Sequence, residues 1–288
     1  MTPDASALLV LLGLPFMQRA LLAGLLTGGL GGLLGSVAVL RQMAFFSDAL
    51  GHASLLGLTL AVALGLNPTL VLLPFAVVFA LVVNAVVRRS RLPVDALLNI
   101  IYSASLAIAV LALSRLPRQG PGLEALLFGD ILGVTWLDLG LIAGLLLVAV
   151  VLLARHRRSQ ILLCLDEPLA RSRGVDAERQ QLLFVVLLAL AVALAIKAVG
   201  VLLISAFIVM PACGARLVSR GFSGYVLLSS AIGAGGAVIG LLASGLFNLP
   251  SGPALVVVQL LGFVLALLAS ATDRPGAAAS ASSPDRVG

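Results

Sequence analysis

Runs of about twenty apolar residues follow one another along almost the whole chain, separated only by short breaks that carry arginine, glycine or proline. A stretch of roughly 20 apolar residues crosses the hydrocarbon core of a bilayer as a helix. With 61% hydrophobic and 10% charged residues in a length of 288, the chain holds far more apolar surface than one soluble core of this size can bury. The runs are continuous and do not alternate apolar with polar positions, which excludes a membrane β-barrel. The fold class that follows is all-α, a polytopic membrane helix bundle with the lipid bilayer as its solvent.

The runs predict about nine transmembrane helices, over residues 16–40, 44–65, 68–88, 95–114, 135–154, 181–198, 200–219, 223–247 and 253–271. Between residues 181 and 219 a stretch of about 38 apolar residues is too long for one tilted helix and must turn once, near Lys197 to Gly200. Eight spans with one broken helix is the alternative count. The first residues, MTPDASALLVLLGLPFMQRA, lack the basic start of a cleavable signal peptide, so they are expected to stay as an interfacial helix or an extension of the first span. Residues 1–272 form one membrane domain in this reading. The Ala/Ser/Pro-rich end, DRPGAAASASSPDRVG (273–288), has no apolar period and is expected to be a disordered cytoplasmic tail.

A net charge of +6 invites a nucleic-acid partner, but the basic residues sit between spans, where they act as orientation signals. They cluster after alternate spans: Arg41; Arg88, Arg89 and Arg91; Arg155 to Arg179; Arg216 and Arg220; Arg274. The positive-inside rule then puts the N-terminus outside and the C-terminus in the cytoplasm, with Arg115 and Arg118 cutting against the pattern. Trp136 opens a span as an interfacial anchor. Gly24, Gly28 and Gly32, then Gly236 and Gly240, repeat at four-residue spacing, which lets helix backbones approach closely. Cys164 and Cys213 have neither paired spacing nor a secreted-domain context and are expected to be unpaired thiols.

Ionisable side chains in hydrocarbon cost several kcal/mol by order of magnitude, so each asks for a partner or a wet path. In RQMAFFSDALGHASLLG, Asp48 and His52 are four apart and stack on one helical face. Such a pair suits zinc or manganese, although it cannot complete a coordination sphere alone. Its competing reading is Ser47 or Asp48 as a helix cap with His52 hydrogen-bonded to a neighbouring span. The longest basic loop holds DEPLARSRGVDAE, where Pro168 and Gly174 bracket a short helix suited to docking on a soluble partner, or simply a solvated loop. Lys197 is the only lysine, so no Walker A lysine exists and any ATP hydrolysis belongs to another polypeptide.

The stretches PFMQRALLAG, LRQMAFFSDALGHASLLG, LLFGDILGV, LDEPLARSRGV, KAVGVLLISAFIVMPACGARL and NLPSGPALVV, in that order, resemble the metal-ion permease family of bacterial ABC importers, the zinc, manganese and iron class. The resemblance covers nearly the whole chain. It implies a permease in the bacterial cytoplasmic membrane that is not itself an enzyme. Its partners would be a second copy of the chain, a pair of ATP-binding subunits and a periplasmic or surface metal-binding protein. The metal is cargo, with no permanently bound cofactor. Asp48 and His52 match the family's second-span motif, on the metal path, and Glu167, Ala170 and Gly174 match its ATPase coupling loop. Two positions depart: Gly51 stands where the family commonly has serine, and Cys213 where it commonly has alanine.

Three other readings compete. A siderophore or cobalamin chelate permease needs room for a large ligand rather than a carboxylate–histidine pair. An intramembrane metalloenzyme needs an HExxH-like pair, yet the only histidines are His52 and His156. An ion-coupled secondary carrier needs its own coupling-ion site, for which Asp48 is the one obvious intramembrane carboxylate.

Overall fold

A computed structural model describes residues 13–90, 92–114, 129 and 131–272, and among these it is all-helical. The helices are α1 (Pro15–Leu40), α2 (Phe45–Leu64), α3 (Pro68–Arg89), α4 (Val94–Leu113), α5 (Trp136–Arg155), α6 (Arg157–Leu165), α7 (Glu167–Ser172), α8 (Ala177–Val199), α9 (Ile204–Val218), α10 (Phe222–Phe247) and α11 (Ser251–Thr272). Residues 1–12 of the expected N-terminal segment, the C-terminal tail, and Arg115 and Arg118 lie outside the described residues, whereas Pro15 to Ala20 of that segment belong to α1.

Local chemistry sets the boundaries. Asn67 caps α3 by accepting from the Thr69 N–H at 3.0 Å, with Pro68 in the first turn. Thr135 and Asp138 form a reciprocal capping box at the start of α5. The long apolar stretch does turn once: α8 ends at Val199, Gly200 takes φ 92°, and α9 begins at Ile204. Only glycine adopts that backbone without strain. The α1 end is less ordinary, because Gln42 rather than glycine takes the left-handed position at φ 56°. The Met43 N–H donates to Ala38 O at 2.8 Å and the Gln42 N–H to Val39 O at 3.3 Å, the paired bonds of a Schellman turn.

Seven of these helices are long and apolar enough to cross a membrane. The remaining two of the nine expected runs are α2, which carries Asp48 and His52, and α9, whose 15 residues rise only about 22 Å. The apolar stretches of α1 and α8 are 78% and 72% buried, against 17% in α4 and α11, so α1 and α8 form the middle and α4 and α11 the outside. Leu111 of α4, Leu147 of α5, Leu227 of α10 and Leu265 of α11 are exposed, as lipid-facing side chains would be.

The α1–α10 seam explains the glycine stripe. A methyl at Gly28 would lie 2.3 Å from Gly233 O, and one at Gly32 would lie 2.2 Å from Ser229 O. Those backbones touch because neither position has a side chain, and the contact is hydrogen-bonded: Ser229 Oγ donates to Gly32 O at 2.6 Å and Ser230 Oγ to Gly29 O at 2.8 Å. Gly236 and Gly240 instead face α11, against Gln259 and Leu255.

Candidate functional site

The arginine-bearing ends of alternate helices gather at one end of the bundle. Arg88 at the end of α3 pairs with Glu178 of α8. Arg41 donates to Gln181 Oε1 of α8 at 2.8 Å and to Gln160 Oε1 of α6 at 2.5 Å, and lies 4.8 Å from the Phe184 ring centroid. Gln160 donates to Gln180 Oε1 at 3.1 Å, and Gln180 Nε2 lies 3.1 Å from His156 Nδ1, which links α6, α8 and the end of α5. Burial pulls the Arg41 guanidinium below its ordinary pKa, with the Cys164 thiol and Glu167 opposing, and burial likewise pushes the Cys164 thiol up. Cys164 and Cys213 are both free thiols.

Asp48 and His52 occupy the start of α2 at this same end. His52 Nδ1 is 3.1 Å from Asp48 O and 3.7 Å from Asp48 Oδ1. If Nδ1 carries the proton and donates to the carbonyl, Nε2 keeps its lone pair, the form in which imidazole binds a metal. The Tyr102 ring of α4 meets the His52 ring edge-on at 4.7 Å between centroids and fixes its plane. Ser47 does not cap the helix; its Oγ is buried and without a hydrogen-bond partner.

Asp48 opens onto a groove of about 670 Å3, whose walls include Gln42, Asp95, Ser205 and Met210. His52, one turn further along α2, is not among them. Asp95, in the first turn of α4, was not legible as part of this groove, because it is 47 residues from Asp48. Met210 faces the groove, whereas Cys213 does not line it. Among the described residues no cluster of three or more His, Cys, Asp or Glu side chains could hold a metal. A single copy therefore offers a carboxylate–imidazole pair and a second carboxylate in the groove, short of a closed sphere.

Gly51, the departure from serine, lies against the α8–α9 corner. A methyl there would approach Ile204 Cγ2 at 2.9 Å and Val201 O at 3.2 Å. Glycine lets α2 pack closer to that corner than a serine would.

The loop segment is ordered as the sequence suggests. Asp166 caps α7 by accepting from the Leu169 N–H at 2.9 Å, Pro168 lies in its first turn and Ala170 is fully buried. Gly174 closes the helix at φ 77°, with the Val175 N–H donating to Ala170 O at 3.1 Å and the Gly174 N–H to Arg171 O at 3.0 Å. Glu167 and Arg171 form an exposed i,i+4 ion pair at 2.7 Å, which raises the Arg171 pKa. Ala170 anchors the segment, while Glu167 and Arg171 are half exposed at the edge of a cavity against the spans.

At the opposite end, Lys197 Nζ donates to Asp138 Oδ2 at 2.6 Å, beside a cavity of about 270 Å3 that also touches Asn67 and Thr69. Asp48 is thus not the one carboxylate in the apolar runs. Asp95 and Asp138 lie in them too, and Asp138 is paired with the chain's single lysine 59 residues away.

The family model described as the ABC 3 transport family matches residues 13–270. The manganese transport system membrane protein MntC of Listeria monocytogenes is 30% identical over 88% of this chain and 90% of its own length. The high-affinity zinc uptake system membrane protein ZnuB of Haemophilus influenzae is 29% identical over 86% of this chain and 95% of its own. A solved structure of PsaBC from Streptococcus pneumoniae in complex with Fab covers 91% of this chain and 94% of that one, with 28% identity and a TM-score of 0.80. With a family match that runs from the start of α1 almost to the end of α11, on a bundle of membrane-crossing helices, the chain belongs to the ABC 3 transport family of membrane permeases.

Proposed function

We propose that this chain is the permease subunit of an ATP-driven importer that carries a divalent metal ion, manganese or zinc first and iron second, into the cytoplasm by alternating access. The observation that carries the reading is the Asp48–His52 pair on one face of α2 beside an open groove, in a chain of this family. An ion that must leave again is served by incomplete coordination, and a second copy of the chain set against the groove would supply a second Asp48 and His52. The metal is cargo rather than a resident cofactor.

All nine runs span the membrane in this proposal, with the N-terminus outside and the Arg41, Arg88 and α7 end in the cytoplasm. The segment Glu167 to Gly174 docks on a separate ATP-binding subunit, which performs the hydrolysis. Ala170 seats that segment and Gly174 sets its turn. A metal-binding protein delivers the ion at the opposite face.

Proteoliposomes holding this chain, its cognate ATPase and its binding protein provide the test, with manganese, zinc and iron supplied in turn. Uptake is expected to stop on ATP depletion and to survive collapse of proton and sodium gradients. In the same vesicles Gly174→Val, a β-branched residue at a left-handed φ, is expected to lower metal moved per ATP hydrolysed. Uptake that follows an ion gradient instead would replace the proposal with a secondary carrier. Accumulation of a metal chelate but of no free ion would replace it with a chelate permease.

A further inference from the structure

Between the loop helices and the metal helix lies one short turn, Arg41 to Ala44, and its geometry is unusually constrained. The Arg41 guanidinium is a planar fork held from several directions. One Nη donates to Gln160 on α6, the other to Gln181 on α8, and the plane lies by the Phe184 ring, itself buried. Gln181 holds the turn from both sides: it accepts from Arg41 and, through Nε2, contacts Met43 Sδ at 3.1 Å. Between those residues sits Gln42, in a left-handed conformation that is unfavourable for a non-glycine residue and persists where the surroundings impose it. The Phe46 N–H then donates to Met43 O at 3.1 Å, so the first turn of α2 grows directly from the constrained turn. Asp48 is two residues beyond Phe46, and Gln42 itself lines the Asp48 groove.

On the other side, Gln160 sits on α6, whose cap Asp166 starts α7, so Arg41 reaches the loop helices directly. A cavity of about 460 Å3 between the loop and the spans has Arg41, Met43, Glu167, Arg171 and Gln181 among its walls, leaving room for the loop to shift against the turn.

We propose that Arg41 is a positioning residue: it transmits movement of the loop helices to the Gln42 turn and thereby sets where α2 presents Asp48 and His52. The inference rests on the proposed roles of the loop and of the Asp48–His52 pair. Arg41 touches no metal. Two acceptors on two different helices require two N–H groups fixed in one plane, which arginine has and lysine lacks.

The test is metal moved per ATP hydrolysed in proteoliposomes of the complete transporter, using manganese and zinc as probes. Arg41→Met keeps an apolar stem and removes both hydrogen bonds; the ratio is expected to fall about tenfold, in the range typical of coupling energies. Arg41→Lys keeps the charge without the fork and is expected to stay low. Gln160→Met removes the Arg41 link to α6 together with the Gln160–Gln180 bond, leaves the Arg41 bond to Gln181, and should lower the ratio in the same direction. A merely structural role would change yield or melting temperature and leave the ratio alone.

A wild-type ratio in Arg41→Met, or in Gln160→Met should Arg41→Met fail to assemble, would overturn the inference, as would full rescue by lysine. A wild-type transporter without ATP-dependent metal uptake is a different result: it removes the proposed function, and this inference with it.

Discussion

At the scale of single residues, the structure is governed by where charge can be tolerated. Lys197 and Asp138 sit within the apolar runs and neutralise each other, with Asp138 only 7% exposed and additionally held by Thr135. Removing one member leaves the other charge without its partner, which costs more than removing both. Lys197→Met is therefore expected to lower stability by about 2 kcal/mol, reduced from the fully buried case because the lysine is partly exposed. Adding Asp138→Asn should return most of the loss. Thermal unfolding of the purified protein measures both, and a wild-type unfolding temperature for Lys197→Met would show that the pair is not a tie between α5 and α8. Neither member announced the other beforehand, because 59 residues separate them and pairing depends on how α5 packs beside α8. Asp48 and His52 were legible as a pair for the opposite reason: four residues along one helix fixes their relation before any packing is known.

At the scale of helices, the bilayer makes the chain unusually readable. Span length is set by membrane thickness, so runs of about twenty apolar residues translate almost directly into α1, α3, α4, α5, α8, α10 and α11. The α8–α9 corner was legible for the same reason, as a run too long to be one helix. What an apolar run does not state is its neighbour. The stripe at Gly24, Gly28 and Gly32 announces a close approach, but only the packed structure shows that Gly28 meets Gly233 and Gly32 meets Ser229, while Gly24 has ordinary room beside Ala237. That difference is testable. Gly32→Ala should destabilise the bundle by about 1–3 kcal/mol, as an inserted methyl forces the α1 and α10 backbones apart. Gly24→Ala, whose methyl would stand 3.6 Å from Ala237 Cβ, should unfold near the wild-type temperature. Equal melting temperatures for the two variants would contradict the seam.

At the scale of the whole molecule, the two ends of the bundle are chemically unlike. One gathers Arg41, Arg88, the loop helices and the Asp48 groove, and the other holds the Lys197–Asp138 pair and Trp136, which is 67% exposed. The alternation of basic breaks along the sequence anticipated that separation. The groove itself was only half legible, since Asp95, Ser205 and Met210 reach it from α4 and α9. Its open side and its short ligand set are what a path completed by a second copy would have. In the proposed alternating access, ATP-driven closure would act at the loop end, beside which Asp48 and His52 stand rather than at the far face. In the proposed path Asp48 replaces water around the passing ion. The most direct measurement is the initial rate of ATP-dependent metal uptake by Asp48→Ala, compared with wild type at matched ATP hydrolysis in the same proteoliposomes. Uptake is expected to fall to the level of vesicles without ATP while the transporter stays assembled; uptake at the wild-type rate would contradict a role for Asp48 in the path.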